Sequence, residues 1–153
     1  VPALTKLYVP IGLGSGICGV LFAKAALGHS VEVIGVVADA FQTYPRSLDA
    51  GEPILTEPGD TIADGLAVRL ANPQALTMIK EGVSRIVAVG ETALLSAIAK
   101  MAKHTDNLVE GAGAASLAAA FLECDRHVAD DQIGIVASGG NLEAKVLARA
   151  LAL

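Results

Sequence analysis

The sequence is poor in aromatic residues, in cysteine and in clustered positive charge. Aromatic side chains make up 3% of the 153 residues and Trp is absent, so the core must be built from Ala, Val, Leu and Ile. The two cysteines, Cys18 and Cys124, fit no metal-binding spacing and predict no disulfide framework. The 11 basic residues are scattered and the net charge is −5, which argues against a nucleic-acid partner because phosphate contacts need clustered Lys and Arg.

Long apolar runs are also lacking. The longest candidates, residues 11–23 and 111–122, are rich in Gly and Ala and fall short of the roughly 18 residues that cross a bilayer. The chain opens Val-Pro-Ala-Leu-Thr-Lys, without the charged-then-apolar pattern of a signal peptide. We therefore expect no membrane partner and a cytoplasmic location.

What the sequence does contain is a regular alternation of strand and helix patterns. Predicted strands cover residues 4–11, 31–37, 85–89 and 132–137. Predicted helices cover residues 17–27, 42–50, 73–81, 91–103, 110–123 and 141–152. This alternation predicts a single α/β domain over residues 1–153, with a mainly parallel sheet and helices on both faces in three αβα layers.

The most informative segment joins the first predicted strand to the first predicted helix. It reads VPIGLGSGICG from Val9 to Gly19, with four glycines among residues 12–19. Glycines let backbone amides approach an anion, and the start of a helix adds its own amides and dipole. The Ser15 hydroxyl is a further donor. We predict a phosphate-binding loop; the alternative is a glycine-rich turn that only connects the two elements.

A second interpretation of the same loop is open at this point. Gly14, Gly16 and Gly19 satisfy the dinucleotide pattern G-x-G-x-x-G. Asp39 follows the second strand about 20 residues later, where an acid that binds the ribose is found in such domains. On this basis the chain would be a free-standing NAD-binding module. The remaining motifs have to distinguish this interpretation from other phosphate-binding loops.

Three further segments extend the pattern beyond a glycine loop. They are Thr61-Ile-Ala-Asp-Gly65, Glu110-Gly-Ala-Gly-Ala-Ala at the start of an Ala-rich helix, and Ala137-Ser-Gly-Gly-Asn141 after the last strand. They have no place in a dinucleotide pattern. In this order after the glycine loop, they resemble the C-terminal half of the threonine/serine dehydratases. These are pyridoxal-phosphate (PLP) enzymes of fold type II, the tryptophan-synthase β-like fold, and the resemblance covers essentially the whole chain.

The resemblance implies a set of contacts with PLP. The family's glycine loop binds the cofactor phosphate, its Ser-Gly-Gly-Asn serine lies at the pyridine nitrogen, and its helix-opening glutamate lies near the ring. The implied cofactor-binding residues are Gly12, Leu13, Gly14, Ser15, Glu110 and Ser138. The commoner family loop is all glycine, so Leu13 and Ser15 depart from it, but both still offer a backbone amide.

Three of the polar residues in these motifs also have local explanations. A neutral hydroxyl at Ser138 cannot hold a pyridine nitrogen protonated, so the ring would be a weaker electron sink that suits β-elimination. Ser138 could equally cap the last helix, and Glu110 could be a first-turn acid that stabilises a helix dipole. Asp64 belongs to a segment that the family shares, but a loop-to-helix cap explains it equally well, and we assign it no catalytic role.

Two features of the family are absent from the sequence. The segment Ser-x-Lys-x-Arg-Gly, which carries the catalytic lysine in the family, does not occur among the six lysines here. We therefore expect no catalytic residue in this chain, an inactive isolated chain, and an N-terminal part before Val1 that supplies the lysine. Some relatives bind a divalent cation after the second strand, but Asp39 alone is too few ligands, so no metal is expected.

The resemblance also implies an activity for the complete protein. We expect an ammonia-lyase that performs β-elimination on a β-hydroxy amino acid such as threonine or serine, giving a 2-oxo acid and ammonia. The expected partners are the small-molecule amino-acid substrate and a second copy of the chain in a homo-oligomer, most simply a dimer. A related PLP amino-acid racemase would use the same residues and stays open.

Overall fold

A parallel sheet lies between two layers of helices in the computed structural model, which describes residues 3–153. The strands are β1 (Lys6–Pro10), β2 (Glu32–Ala38), β3 (Arg85–Val89) and β4 (Ile133–Ile135). The helices are α1 (Ser15–Leu27), α2 (Thr43–Ala50), α3 (Pro73–Gly82), α4 (Glu91–Thr105), α5 (Gly111–Leu122) and α6 (Ala144–Leu151). In the described part of the chain, none of the helices is both long and apolar enough to cross a membrane.

The sheet order is β3-β2-β1-β4, with all neighbours parallel. The chain therefore runs outward from β1 through β2 to β3 and then returns to the other side of β1. β1 pairs with β2 along its whole length, from Lys6 opposite Glu32 to Pro10 opposite Val36. The register of β4 with β1 ends earlier, at Tyr8 opposite Ile135. The Val136 N–H still donates to the Tyr8 carbonyl (3.0 Å), and the recorded pairing of β1 with β4 ends there.

Both faces of the sheet are buried, because apolar side chains alternate between two cores. Val9, Ile11 and Val33 pack in one core together with α1, α2 and α3. Tyr8 and Ile34 pack in the other core, whose remaining side chains come largely from α4, α5 and α6. The small residues of α5 are almost all buried, which lets this helix approach the sheet closely. The predicted three-layer αβα fold is confirmed.

Two helix starts differ from the predictions by two residues or more. α1 begins at Ser15, two residues before the predicted residue 17, because Gly14 already takes the cap position with φ 108°. α6 begins at Ala144 instead of residue 141. The preceding segment forms a turn, in which the Leu142 N–H donates to the Gly140 carbonyl (2.9 Å). One tertiary contact also holds it, because the Glu110 N–H donates to the Gly139 carbonyl (3.1 Å).

The helix ends follow the expected end signals more closely. Gly28 closes α1 with φ 59°, as predicted, and the following His29 N–H donates to the Lys24 carbonyl (3.0 Å). Asn72 opens α3, since its Oδ1 accepts from the Ala75 N–H (3.0 Å). Pro73 follows in the first turn, where its missing N–H is not needed.

A partly buried ionic network lies where the strands begin, at the opposite end of the sheet from the glycine loop. Arg85 at the start of β3 donates to Glu123 from Nε (2.9 Å) and Nη2 (2.7 Å) and also pairs with Glu32. The Tyr8 hydroxyl donates to Glu123 (2.8 Å), and His127 Nε2 lies 3.0 Å from the same hydroxyl. The hydrogen bonds from Arg85 hold the pKa of Glu123 below its usual value, while burial and Glu123 raise the pKa of Tyr8 to about 12.

Candidate functional site

The predicted loops of the site follow two neighbouring strands. The glycine loop leaves the C-terminal end of β1, and the segment 137–141 leaves that of β4. The order of the strands reverses between β1 and β4, and in open α/β sheets ligands bind in the crevice at this switch point. The structure therefore brings these two predicted segments to the edge of the sheet where a ligand is expected.

The glycine loop has the geometry of an anion site. Gly14 is the cap residue of α1 in the left-handed region (φ 108°, ψ −11°), and no side chain caps the helix. The Cys18 N–H closes the first turn onto the Gly14 carbonyl (3.0 Å), so the amides before it have no partner within the helix. The first turn of α1 holds no acidic residue that would compete with an anion. This arrangement fits a phosphate group.

Leu13 takes part in the loop through its backbone. Its side chain is exposed, while its carbonyl accepts a hydrogen bond from the Tyr44 hydroxyl (2.6 Å). Tyr44 is 1% exposed, and the same hydroxyl accepts from the Asn72 N–H (3.3 Å). Sequence reasoning missed Tyr44, because it lies 31 residues from Leu13 and no local pattern links the two.

The segment 61–65 packs against the glycine loop at Gly12. Glu91 fixes this segment, accepting from Thr61 Oγ1 (2.6 Å) and from the Ile62 N–H (3.0 Å). The Gly65 carbonyl oxygen would lie only 2.4 Å from a Cβ placed on Gly12. Gly12 therefore has to be glycine for the loop to rest on this segment. Glu91 was not singled out in the sequence.

Glu110 lies between two glycine segments. Its N–H donates to the Gly139 carbonyl (3.1 Å), and a Cβ on Gly139 would lie 2.2 Å from Glu110 Oε1. A Cβ on Gly65 would lie 4.0 Å from the same oxygen. Glu110 is the residue before α5, but its side chain makes no capping hydrogen bond there. The carboxylate is thus held against Gly139 and remains available to a ligand.

Ser138 is exposed and does not cap the last helix. The cap position of α6 is Glu143, so the local explanation of Ser138 as a cap is wrong. Asp64 also caps nothing with its side chain, since Ala63 precedes the 3-10 turn that Asp64 opens. Asp39 lies after β2 and accepts from Gln42 Nε2 (2.8 Å). Within residues 3–153, no three His, Cys, Asp or Glu side chains cluster in a way that could hold a metal ion.

A cleft of about 560 Å³ opens beside Glu110. Its lining includes Thr61, Asp64, Asn141 and Lys145, so it runs between the segment 60–65 and the start of α6. The volume lies within the usual range of about 300–1,000 Å³ for small-molecule sites. Residues 12–15 and Ser138 are not part of this lining. The structure therefore joins Glu110 and Asn141 in one cleft and places the glycine loop on the adjacent strand end.

The position of the Glu110 carboxylate can be tested with Gly139→Ala. The added methyl group meets Glu110 Oε1 at 2.2 Å and has to displace it, so we expect the free energy of unfolding to fall by about 1 to 3 kcal/mol. Since the clash is with the Glu110 side chain, Gly139→Ala should lower the free energy of unfolding by less when Glu110 is already replaced by Ala. A double-mutant cycle on the free energy of unfolding measures this coupling, and additive losses would contradict the assigned contact.

Comparison with known proteins identifies the family. The family model described as pyridoxal-phosphate dependent enzyme matches residues 2–139. The chain is 32% identical over 148 residues to the L-threonine ammonia-lyase of Thermotoga maritima, across 97% of this chain and 36% of that protein.

Solved structures agree with this family in fold. The crystal structure of a threonine deaminase from T.th. has a TM-score of 0.83 at 31% identity, over 94% of this chain and 47% of that one. Serine racemase from maize has a TM-score of 0.87 at 28% identity, over 99% of this chain and 47% of that one. The chain thus spans less than half the length of these relatives.

These findings decide between the two interpretations of the glycine loop. The sheet order alone suits both, because the dinucleotide-binding fold also places its glycine loop at a switch point. The family match includes the glycine loop, the segment 61–65, Glu110 and Ser138, and it confirms the predicted family and its cofactor. The chain therefore belongs to the family of pyridoxal-phosphate dependent enzymes.

Proposed function

We propose that the complete protein is a PLP-dependent ammonia-lyase that converts threonine or serine to a 2-oxo acid and ammonia. The observation that carries the proposal is the likeness to the L-threonine ammonia-lyase of Thermotoga maritima across 97% of this chain. The convergence of the motif segments at one edge of the sheet supports it. In this proposal the chain is a single domain that forms the C-terminal part of a longer, cytoplasmic enzyme.

The glycine loop is proposed to hold the cofactor phosphate. Gly12, Leu13, Gly14 and Ser15 offer backbone amides at the start of α1, and the Ser15 hydroxyl adds a donor. The helix dipole and the lack of an acidic residue in the first turn favour a dianionic group there. Binding of the phosphate fixes one end of the cofactor, and hence where its ring lies relative to β4.

Ser138 and Glu110 are proposed to contact the ring. When bound, PLP supplies an electron sink for negative charge that develops at the substrate Cα. The Ser138 hydroxyl is neutral and can hydrogen-bond to the ring nitrogen without holding a proton on it, which favours prompt loss of a β-leaving group over a long-lived carbanion. The Glu110 carboxylate, held against Gly139, flanks the ring and fixes its orientation.

The base that removes the substrate α-proton is proposed to lie outside this chain. The family segment Ser-x-Lys-x-Arg-Gly does not occur in the sequence. Lys6 pairs with Asp131, Lys100 lies over the Phe121 ring, and Lys145, which lines the cleft beside Glu110, pairs with Glu143. The 153-residue chain alone is therefore expected to form no keto acid.

The test is an assay of the complete protein, as its gene encodes it, with L-threonine and L-serine. We expect 2-oxobutanoate and ammonia in equal amounts from threonine, loss of activity when PLP is removed, and recovery when it is added back. Absence of keto acid from both substrates in protein that has bound PLP would overturn the ammonia-lyase. Failure to bind PLP at all would overturn the proposed cofactor role of this site.

A serine racemase is the second candidate, because the maize serine racemase matches 99% of this chain with a TM-score of 0.87. Formation of D-serine from L-serine faster than keto acid would favour it.

We also propose a homodimer, since the exposed Phe22 and Leu27 on α1 are apolar side chains suited to an interface. Light scattering of the complete protein gives its mass and tests this.

A further inference from the structure

The side chain of Tyr44 connects α2 to the glycine loop and to the start of α3. Its ring lies in the core on the α1 side of the sheet and is 1% exposed. Its hydroxyl lies 2.6 Å from the Leu13 carbonyl and 3.3 Å from the Asn72 nitrogen. A backbone N–H can only donate, so the hydroxyl accepts from Asn72 and donates its own proton to Leu13. Burial raises the pKa of Tyr44, which keeps that proton in place.

The hydrogen bond to Leu13 fixes the direction of the next amide. The carbonyl of Leu13 and the N–H of Gly14 belong to one peptide unit, which is planar and trans, so the two groups point in opposite directions. With the carbonyl held toward Tyr44, the Gly14 N–H points away from it. Gly14 itself approaches Tyr44 closely, because a Cβ there would lie 2.8 Å from the hydroxyl oxygen. The peptide between Leu13 and Gly14 is therefore held by a side chain from another helix.

We propose that Tyr44 is a positioning residue for the cofactor phosphate: its hydroxyl orients the Leu13–Gly14 peptide so that the Gly14 amide donates to the phosphate. The proposal rests on the proposed role of the glycine loop and adds a residue that the motif does not contain. It also explains how leucine is accommodated at position 13. Leu13 acts only through its carbonyl, and its exposed side chain leaves the loop undisturbed.

The experiment compares binding of PLP and of pyridoxal, which lacks the phosphate, to the complete protein and its Tyr44→Phe variant. Loss of one buried hydrogen bond that orients the phosphate site should raise the PLP dissociation constant about tenfold. The pyridoxal dissociation constant should change less than about twofold, because it makes no phosphate contact. The ³¹P chemical shift of bound PLP should also move, since it reports hydrogen bonding at the phosphate oxygens.

Tyr8→Phe is the matched control. Tyr8 is equally buried, but its hydroxyl bonds to Glu123 and His127 at the other end of the sheet. It should lower stability without changing the ratio of PLP to pyridoxal affinity or the ³¹P shift. If Tyr44→Phe weakens both ligands equally, or neither, the positioning role is wrong although the enzyme still binds PLP. If the wild-type protein binds no PLP, the proposed function itself is wrong.

Discussion

Gly14→Ala is expected to weaken PLP binding by about 30-fold and to destabilise the glycine loop by about 2 kcal/mol or more. Gly14 has φ 108°, a conformation that an L-residue with a side chain rarely adopts. A Cβ at this position would also lie 2.5 Å from the Ala75 Cβ and 2.8 Å from the Tyr44 hydroxyl. Both effects push the loop away from the geometry in which its amides are free for an anion. Spectroscopic titration of the apoenzyme with PLP measures the loss.

Gly19→Ala is the control for this prediction. Gly19 lies in the same helix, and a Cβ there meets nothing within 4 Å. Alanine is the better helix former, so the variant should bind PLP normally and be as stable as wild type or more so, by up to about 1 kcal/mol. In a dinucleotide-binding loop, Gly19 would be required for close packing of the helix on the sheet, and Gly19→Ala would lower stability. Equal loss in both variants would contradict the specific role of the Gly14 conformation in PLP binding.

Glu123→Gln is expected to lower the free energy of unfolding by about 2 to 4 kcal/mol at pH 7. Glu123 is 9% exposed, and its carboxylate is bonded by both Arg85 and Tyr8. The amide keeps the size of the side chain but removes its charge, which leaves Arg85 with Glu32 as its remaining carboxylate partner. Denaturant titration of both proteins measures the difference.

The same pair of proteins should differ in their response to acid. The pKa of Glu123 is lowered in the folded state, so its contribution to stability is fully present above the ordinary carboxyl value of about 4.3 and is lost as the pH falls below it. The gap between wild type and Glu123→Gln should therefore be constant from pH 7 to about 5.5 and shrink in stronger acid.

Glu143→Gln serves as the control for the ionic network. Glu143 pairs with Lys145 at 2.7 Å, but the two side chains are 61% and 78% exposed. Solvent screens such an exposed pair, so this variant should be as stable as wild type at each pH measured. A Glu123→Gln effect no larger than that of Glu143→Gln would mean that the buried network does not stabilise the fold.

The sequence was sufficient for the architecture because local signals and burial agree. The apolar run of β2 matches a strand covered on both faces, and Gly28 and Asn72 are end signals that act through their immediate neighbours. α6 was predicted to start at residue 141 and starts at Ala144. The segment before it is held by the hydrogen bond from the Glu110 N–H to the Gly139 carbonyl, and no local signal predicts a contact between residues nearly 30 positions apart.

The site was predicted only as far as its motifs reach. The motifs identified residues 12–15, Glu110 and Ser138, and the structure places them after β1, before α5 and after β4. The residues that support them carry no motif. Tyr44 and Glu91 act through hydrogen bonds to segments 31 and 30 residues away, and such pairings depend on how the layers are stacked. From the sequence alone, Tyr44 is predicted only to be a residue of the hydrophobic core.

The covalent structure of Pro10 explains why the pairing of β1 with β4 ends where it does. The Lys6 N–H donates to Gln132 and the Ile11 N–H to Val36 in β2, so along β1 the even-numbered amides face β4. At position 10, the donor that would continue the ladder toward Val136 is missing, because proline has no N–H. The ladder therefore lacks its next hydrogen bond at this point, and the recorded pairing of β1 with β4 ends at Tyr8 and Ile135. A ligand bound between the segments that follow these two strands would have no strand pair to break.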